Sequence, residues 1–470
     1  METFEAPGVR DQAAATLPGA TRPRRAVILA AGRSERMRSL TPGDSKAQLR
    51  VGGVSLVERA VRRLLSLGIE DVIVVVGAHS RSVQGSLRRI APHRVRTMFA
   101  DRWIDGNGAS LAVAERELID DPLFVVMAAD HLFSDGAIDE LIAASSPCVL
   151  VDEAPAPAVW SEGTRVRVEG GKAVAFSKEI DEPTVDCGVF TLTPAIFQAQ
   201  RRAGDEGDGS LAGALSRFAA DHPVAALPLP PGAWWHDIDV PEDVRAAQRS
   251  LRRSLAKPSD GPVSRIVNRP ISTRVSMAIS RLRPDPMAVS VLSFLVSAAA
   301  GILLALGKGI AGGVLVQLGS IGDGIDGELA RLQYRASAWG ALVDGALDRI
   351  ADAIAIAGLA IWAVRDGSLS DAWAIGLAVA ATAGSMLSMA SKDRIRALGL
   401  PEAREDRLGF LFGGRDARLL LIAIAAVLRA PVGGLIAVMV TTTATLVVRL
   451  FSVGRSWARS SRRPDRVGRL

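Results

Sequence analysis

The feature that most constrains this chain is a run of twenty residues, Met287 to Leu306, without a single charged side chain. At about 1.5 Å of rise per residue, a helix of that length crosses a hydrocarbon layer of about 30 Å. A buried helix of a soluble domain rarely needs this length. The run therefore predicts that the C-terminal part of the chain lies in a membrane.

Further apolar stretches follow this run, and together they predict an all-α domain of six membrane spans. The basic residues between the stretches fall mostly on one side, which the positive-inside rule assigns to the cytoplasm. We therefore expect a multi-pass protein of the plasma membrane whose N-terminal part and active sites face the cytoplasm. The predicted spans are 287–306, 310–331, 338–363, 372–391, 415–430 and 431–450.

The N-terminal part has the pattern of a different kind of domain. The chain has 470 residues, of which 49% are hydrophobic and 23% charged, and this fits an average over a membrane bundle and a soluble α/β domain. Short buried strands alternate here with amphipathic segments, as in a mostly parallel, Rossmann-like sheet covered by helices. The predicted strands include Ala26–Leu29, Val72–Val76, Phe124–Met127 and Cys148–Val151.

Charge and composition divide the chain further. The net charge of +6 does not indicate a nucleic-acid partner, because the segment from Arg449 to Leu470 alone carries seven Arg and one Asp. Such a tail beside an apolar helix typically binds anionic lipid headgroups. We expect a disordered tail at 1–23, the cytoplasmic α/β domain at 24–250, a linker with an interfacial amphipathic helix at 251–286, the membrane domain at 287–450 and a basic cytoplasmic tail at 451–470.

Four aspartates form the most specific pattern of the membrane part. Asp323 and Asp326 are three residues apart on one predicted helix, so they share a face of it. Asp344 and Asp348 are four apart and share a face of the next helix. Antiparallel packing of the two helices brings the carboxylates together, where they must hold cations or protons. Ligands that are all oxygen indicate Mg²⁺ or Mn²⁺.

The complete pattern from Asp323 to Asp348, D-x2-D-G-x2-A-R-x8-G-x3-D-x3-D, resembles the signature of the CDP-alcohol phosphotransferase family at every fixed position. The resemblance implies that an alcohol attacks the distal phosphorus of a CDP-alcohol and that CMP leaves. It implies Asp348 as the base that takes the hydroxyl proton. The implied metal ligands are Asp323, Asp326, Asp344 and Asp348, and the implied CDP-binding residues are Gly327, Ala330 and Arg331.

Four arginines lie near the same side of the predicted bundle. Guanidinium groups are well suited to bind a phosphate, so we expect them to bind a phosphate of the acceptor. The alternative is that they are ordinary positive-inside charges. These residues are Arg404, Arg407, Arg415 and Arg418.

A second motif opens the N-terminal domain. The turn Ala30-Ala31-Gly32-Arg33 follows the first predicted strand, and Lys46 comes after it. A Gly-rich turn at a helix N-terminus offers backbone N–H groups to phosphate oxygens. The segment resembles the sugar-phosphate nucleotidyltransferases, although Ser34 and Ser45 stand where that family usually has Gly and Pro. The resemblance implies that Ala30 to Arg33 and Lys46 bind the nucleotide, and that Lys46 and Arg36 stabilise the reacting phosphates.

Later segments extend this resemblance. Gly106 to Leu111 resembles the base-recognition segment of the family, in which Asn107, Gly108 and Ser110 would bind the nucleotide. Asp186 to Phe190 resembles the strand on the sugar side of the site.

Metal-binding acids are also expected in this domain. Asp130 follows an apolar strand where the family has such an acid, and we expect its neighbour His131 to be structural. The segment 235–243 resembles the closing motif, which carries a second metal acid. That acid is either Asp237 or Asp239, and we favour Asp239. The implied cofactor is Mg²⁺, or Mn²⁺, as in the membrane domain.

A transferase that makes an activated alcohol and one that consumes a CDP-alcohol form successive steps, so CTP is the expected nucleotide. The combination resembles the family of bifunctional inositol-1-phosphate cytidylyltransferases and di-myo-inositol-phosphate phosphate synthases. The resemblance implies that CTP and inositol 1-phosphate give CDP-inositol, whose phosphoinositol group passes to a second inositol 1-phosphate in compatible-solute synthesis. It also implies a homodimer through the spans. The alternatives are transfer to a membrane lipid and a non-enzymatic, membrane-anchored nucleotide-binding scaffold.

Overall fold

The computed structural model of the chain describes residues 22–32, 37, 40–41, 44–257, 260–398, 400 and 414–461. These residues form two compact units, which divide between Ser250 and Leu251. The first unit is an α/β domain and the second is helical, which confirms the two fold classes expected from the sequence. Each unit is described by itself below.

The first unit is built on a sheet of nine strands in the order β5-β4-β1-β6-β11-β8-β12-β10-β9, with two small two-stranded sheets, β13-β7 and β2-β3, beside it. The predicted strands are confirmed within one or two residues. The strands are β1 Arg25–Ala30, β2 Arg50–Val51, β3 Val54–Ser55, β4 Asp71–Val76, β5 Val95–Phe99, β6 Phe124–Ala128, β7 His131–Phe133, β8 Cys148–Asp152, β9 Arg165–Glu169, β10 Lys172–Ser177, β11 Val185–Leu192, β12 Val224–Pro228 and β13 Trp235–Asp237.

Helices cover this sheet on both faces. Alternate residues of β4 enter two separate apolar cores, Val72 and Val74 on one side and Ile73 and Val75 on the other. Burial on both faces explains why the central strands are continuous apolar runs. The helices are α1 Leu56–Ser66, α2 Ser80–Leu87, α3 Asn107–Ala112, α4 Glu115–Leu118, α5 Asp139–Ala143, α6 Pro157–Glu162, α7 Ala195–Asp205, α8 Leu211–Asp221 and α9 Pro241–Ser254.

The sheet is parallel in one half and mixed in the other. Strands β5, β4, β1 and β6 are all parallel, as the alternating pattern predicts. Strand β11 is antiparallel to both β6 and β8, and β9 and β10 form an antiparallel pair. Gly170 and Gly171 between β9 and β10 have φ values of 56° and 76°, the conformation that a tight hairpin turn requires.

The second unit consists of long helices. They occur at all six positions where spans are predicted, and a shorter helix precedes them. The helices are α10 Arg269–Ile279, α11 Pro286–Ala305, α12 Gly309–Leu332, α13 Ala338–Arg365, α14 Asp371–Ala397, α15 Arg415–Val427 and α16 Pro431–Ser461.

Three of these helices are long and apolar enough to cross a membrane among the residues described: Pro286–Ala305, Asp371–Ile395 and Pro431–Ala458. Helices α12 and α13 are longer than a span needs, but the acids of the motif interrupt their apolar character. Helix α15 has 13 residues, which cover only about 20 Å. The membrane character of this unit is therefore supported, and the count of six spans stays a prediction.

Helix α10 lies within the predicted linker. Its buried residues are the polar Ser272, Thr273 and Ser276, whereas Ile271 and Val275 are exposed. The helix thus turns a polar face towards the bundle and an apolar face outwards. An apolar outer face is what an interfacial helix needs, and that role stays a prediction.

Candidate active sites

The first candidate site lies where the parallel strands β1 and β6 end. Asp130 comes two residues after β6, and the pairing of β7 with β13 places Asp237 opposite His131. One oxygen of each carboxylate and one ring nitrogen of His131 lie within 4.8 Å of one another. The carboxyl ends of parallel strands commonly form a ligand-binding crevice, so this edge of the sheet is well placed to hold a cation.

Lys46 supplies a positive charge at this site. Its Nζ lies 2.9 Å from Asp130 Oδ2 and 3.6 Å from Asp237 Oδ1, and it donates a hydrogen bond to Asp239 Oδ1. Burial alone would lower the pKa of Lys46, but the three carboxylates outweigh it and raise this pKa well above its usual value. Lys46 therefore stays protonated and can stabilise negative charge on a phosphate.

Of the two acids that the sequence left open, Asp237 belongs to the group of possible metal ligands around Asp130. Asp237 Oδ1 is buried and accepts no hydrogen bond, although Lys46 Nζ is 3.6 Å away and His131 Nδ1 is 3.9 Å away. Asp239 is not in the group of possible ligands around Asp130 among the residues described; its carboxylate contacts Lys46. The structure thus places Asp237 beside Asp130, whereas the sequence favoured Asp239.

His131 is held rigidly beside Asp130. Its Nδ1 lies 2.8 Å from Asp130 Oδ1, and its ring stacks on Trp235 with 5.5 Å between the ring centres. Burial would lower the pKa of His131, but Asp237 and Asp130 raise it to about 9. The ring therefore carries a positive charge at neutral pH when the acids have no other partner.

Gly188, in β11, makes room for His131, and its replacement tests this packing. A Cβ atom at Gly188 would lie 2.6 Å from His131 Nε2, so the ring and Asp130 must move. We expect Gly188→Ala to reduce the activity of this site by about 100-fold, since small misplacements of a positioned group have effects of that size. Steady-state rates with the nucleotide substrate measure the loss.

Gly171 provides a matched control for this variant. Its φ of 76° is close to the 70° of Gly188, but a Cβ atom there would meet nothing within 4 Å. Gly171→Ala therefore introduces the same backbone strain without the collision, and it should keep nearly full activity. Equal losses in the two variants would show that backbone strain, rather than contact with His131, matters at Gly188.

Two cavities border this site, and both are lined in part by Asp239. The smaller, of about 280 Å³, is lined by Ala30, Gly32, Lys46 and Asp130, and Ala31 is buried beside it. The larger, of about 670 Å³, has the size typical of a small-molecule site. Of the residues predicted for this end of the site, Arg33 and Arg36 lie outside the described residues.

The predicted base-recognition segment borders the larger cavity. Gly106 and Asn107 line it directly. Gly108 donates its N–H to the carbonyl of Gly209 at 3.2 Å, and the Ser110 hydroxyl donates to the carbonyl of Gly106 at 3.3 Å. Gly108 and Ser110 thus support the shape of the segment, while its first two residues are available to a ligand.

The opposite wall of the larger cavity includes residues of β11 and of the segment after β10. Asp186 lies here, as predicted for the sugar side, and its burial raises the pKa of this carboxyl to about 6. Lys178, directly after β10, also lines the wall. The sequence reasoning did not identify Lys178, because one lysine after a strand carries no distinctive spacing.

The second candidate site lies between α12 and α13. Oxygens of Asp323, Asp344 and Asp348 lie within 4.8 Å of one another, so three of the four carboxylates that the motif spacing is expected to bring together form one group. The fourth acid, Asp326, is only 4% exposed and accepts hydrogen bonds from the Ser290 hydroxyl and from the backbone N–H of Gly327. Three carboxylates so close together fit a divalent cation that takes oxygen ligands.

The CDP-binding residues expected from the motif lie on α12. Arg331 Nη2 donates a hydrogen bond to the carbonyl of Leu255 at 3.1 Å, and Arg331 Nε is buried without a hydrogen-bond partner. A Cβ atom on Gly327 would lie 3.3 Å from Arg331 Nη1, so glycine leaves room for this guanidinium. Ala330 is half-buried between them. A helix face with small side chains and a guanidinium group has the room and the positive charge that suit a diphosphate.

Arg415 contacts the acids of the motif directly. Its Nη1 lies 2.9 Å from Asp323 Oδ2 and 2.8 Å from Asp348 Oδ1. Arg418 is 2% exposed, and its Nη2 has no hydrogen-bond partner. Of the four predicted phosphate-binding arginines, Arg415 therefore contacts the acids of the motif and Arg418 lies 3.6 Å from Asp352, one helical turn further along α13; Arg404 and Arg407 lie outside the described residues.

The sequence reasoning did not identify Asp352 and Glu328, two of the buried acids of this unit. Asp352 continues the spacing of four from Asp344 and Asp348, which is a signal that could have identified it. Glu328 lies inside the motif, is fully buried, and accepts hydrogen bonds from Ser272, Ser276 and Arg269. Glu328 thereby fastens α10 to α12.

Comparisons with known proteins also divide the chain into an N-terminal and a C-terminal part. The profile of the MobA-like NTP transferase domain matches residues 26–228, and that of the CDP-alcohol phosphatidyltransferase family matches residues 285–444. A "bifunctional IPC transferase and DIPP synthase" of Rubrobacter xylanophilus is 36% identical over 92% of this chain and 96% of its own length. A protein of the same description from Archaeoglobus fulgidus is 32% identical over 86% of this chain and 79% of its own.

A solved structure is also similar to the N-terminal unit. It is described as the structure of the inositol-1-phosphate CTP transferase from T. maritima, and it is 22% identical, with a TM-score of 0.45. The match covers 51% of this chain and 100% of that one.

Proposed function

Because the chain belongs to the family of bifunctional IPC transferases and DIPP synthases, we propose that it makes CDP-inositol and then consumes it. CTP and inositol 1-phosphate would give CDP-inositol and pyrophosphate in the N-terminal unit. A second inositol 1-phosphate would accept the phosphoinositol group in the helical unit, with release of CMP. The observation that carries this proposal is that each unit has its own group of side chains that could hold a divalent cation: Asp130, His131 and Asp237 in the first unit, and Asp323, Asp344 and Asp348 in the second.

In the first transfer, a phosphate oxygen of inositol 1-phosphate attacks the α-phosphorus of CTP, and the bond from that phosphorus to the bridging oxygen of pyrophosphate breaks. Lys46 stabilises the charge on the phosphates, and Asp239 orients Lys46 through their hydrogen bond. Asp130 and Asp237 would hold the cation, and Lys178, which lines the larger cavity, would bind the phosphate of the alcohol. Catalysis here is positioning and charge neutralisation, without a side-chain nucleophile.

In the second transfer, a hydroxyl of the acceptor attacks the phosphorus that bears inositol, and the bond from that phosphorus to CMP breaks. Asp348 takes the hydroxyl proton. Asp323, Asp326 and Asp344 would hold cations, and Arg331 would bind the CDP group. Arg415 and Arg418 bind the phosphate of the acceptor.

Both sites fit Mg²⁺, with Mn²⁺ as the alternative, because carboxylate oxygens are the ligands that these ions prefer. The ion would neutralise the diphosphate and make the departing group a better leaving group. We place the helical unit in the plasma membrane with both sites facing the cytoplasm. A homodimer through the membrane helices remains a prediction from the resemblance.

Phosphorus NMR of one reaction tests this proposal. Purified protein with CTP, Mg²⁺ and inositol 1-phosphate should release pyrophosphate and CMP and form a water-soluble phosphodiester. Addition of diacylglycerol vesicles tests the alternative of a lipid acceptor. A product that moves into the organic phase would favour that alternative, and release of neither pyrophosphate nor CMP would contradict both enzymatic functions.

A further inference from the structure

Asp352 lies at the centre of a buried polar cluster next to the second site. It comes one helical turn after Asp348 on α13 and is only 5% exposed. Its Oδ1 accepts a hydrogen bond from Arg415 Nε at 2.9 Å, and its Oδ2 lies 3.6 Å from Arg418 Nη2. The Ser385 hydroxyl, on α14, donates to Oδ2 at 3.2 Å. One carboxylate thus connects three helices.

Arginines of this cluster have buried nitrogen atoms that make no hydrogen bond. Arg418 Nη2 is buried and makes no hydrogen bond, although it lies 3.6 Å from Asp352 Oδ2, and Nη1 of Arg349, the residue that follows Asp348, is also buried without a hydrogen-bond partner. A buried guanidinium nitrogen without a partner is costly. Unsatisfied donors beside a catalytic acid therefore point to a ligand with several acceptor oxygens, such as a phosphate.

We propose that Asp352 is a positioning residue for the second transfer, which holds Arg415 through Nε and lies beside Arg418 so that these two guanidinium groups meet the phosphate of the acceptor. This inference rests on the proposed function, because it takes the second substrate to be a phosphorylated alcohol. Asp352 does not touch the reacting atoms. It acts through the two arginines.

The geometry separates Asp352 from the metal-binding acids. Arg415 uses Nε for Asp352 and Nη1 for Asp323 and Asp348. Asp323 and Asp348 would hold a cation with the same oxygens that Arg415 Nη1 contacts, whereas the contact between Arg415 Nε and Asp352 does not involve those oxygens. Arg415 then remains anchored while its outer nitrogens become available to an anion.

Asp352→Asn tests the proposal, because Asn keeps the shape of the side chain and removes its charge. With CDP-inositol supplied and CTP left out, the KM for inositol 1-phosphate should rise about tenfold, which corresponds to about 1.4 kcal/mol. The KM for CDP-inositol should stay within about twofold, because the residues along the CDP group are unchanged. CMP release measures both constants.

Ser385→Ala is the matched control. It removes the neutral hydrogen bond to Asp352 Oδ2 but leaves both arginine contacts, so the KM for inositol 1-phosphate should stay near that of the wild type. If Ser385→Ala and Asp352→Asn raised both KM values alike, Asp352 would be a structural residue and the proposal would be wrong.

Two further results keep the outcome clear. If Asp352→Asn gives no functional protein, Asp352→Glu, which keeps the charge on a longer side chain, should raise the KM for inositol 1-phosphate alone; a parallel rise in both constants would overturn the inference. If the wild type releases no CMP from CDP-inositol and inositol 1-phosphate, the proposed function fails instead. An active wild type with an unchanged Asp352→Asn variant refutes only the role of Asp352.

Discussion

Asn in place of Asp348 is expected to stop the second transfer while the first continues, so that CDP-inositol accumulates. Asn has the size of Asp but cannot take the hydroxyl proton, and a positioned general base typically contributes about 10²- to 10⁴-fold to a rate. With CTP and inositol 1-phosphate, pyrophosphate release should match that of the wild type, and CMP release should fall at least about 100-fold. Phosphorus NMR follows both products in one sample.

Asp366→Asn is the control for this variant. Asp366 follows the last residue of the same helix, where its carboxylate accepts the backbone N–H of Ser368 at 3.0 Å. Its loss should leave both transfers intact. If Asp348→Asn still released CMP at the wild-type rate, another group would be the base, and the role that the resemblance implies for Asp348 would be wrong.

The parallel half of the fold was predictable because its signal is local. Central strands buried on both faces are short apolar runs, and each one is visible in the sequence by itself. The mixed half was not, since the direction of β11 depends on its pairing with β6 and β8, which lie far away in the sequence. Hydrophobicity alone does not distinguish a parallel from an antiparallel partner.

The membrane motif was predictable for a similar reason. Spacings of three and four residues on a helix place side chains on one face, so the grouping of Asp323, Asp344 and Asp348 follows from the sequence. The contact of Arg415 with these acids did not follow, because it depends on how α15 packs against α12 and α13. Arg415 was expected to bind a phosphate, which stays a prediction; the structure shows its contacts with Asp323 and Asp348.

The choice between Asp237 and Asp239 shows another limit of sequence reasoning. The two residues are separated by one position and would lie on the same face of a continued strand. The strand β13 ends at Asp237, and the backbone N–H groups of Asp239 and Val240 bond to Asp243 at the start of α9. Where a strand ends is a tertiary property, so the sequence left both acids open.

Removal of the Asp130 carboxylate should stop the first transfer and leave the second intact, which is the reverse of the result expected for Asp348→Asn. Asp130→Ala deletes a proposed metal ligand and a partner of Lys46, so CDP-inositol synthesis should fall by at least about 100-fold. CMP release from supplied CDP-inositol and inositol 1-phosphate should stay at the wild-type rate. Asp135→Ala, at a side chain that is 95% exposed, is the control and should leave both rates unchanged. Loss of both activities in folded Asp130→Ala protein would contradict independent sites.

The dependence of CDP-inositol synthesis on Mg²⁺ distinguishes whether Asp237 or Asp239 is the metal ligand. Loss of a ligand typically weakens metal binding, so Asp237→Asn should raise the Mg²⁺ concentration for half-maximal CDP-inositol synthesis by about tenfold or more. Asp239→Asn should slow synthesis with little change in that concentration, because Asp239 contacts Lys46. The reverse result would make Asp239 the ligand, as the sequence favoured. Either way the CMP-releasing activity of the same samples reports whether the helical unit is intact, since its acids belong to a separate cluster.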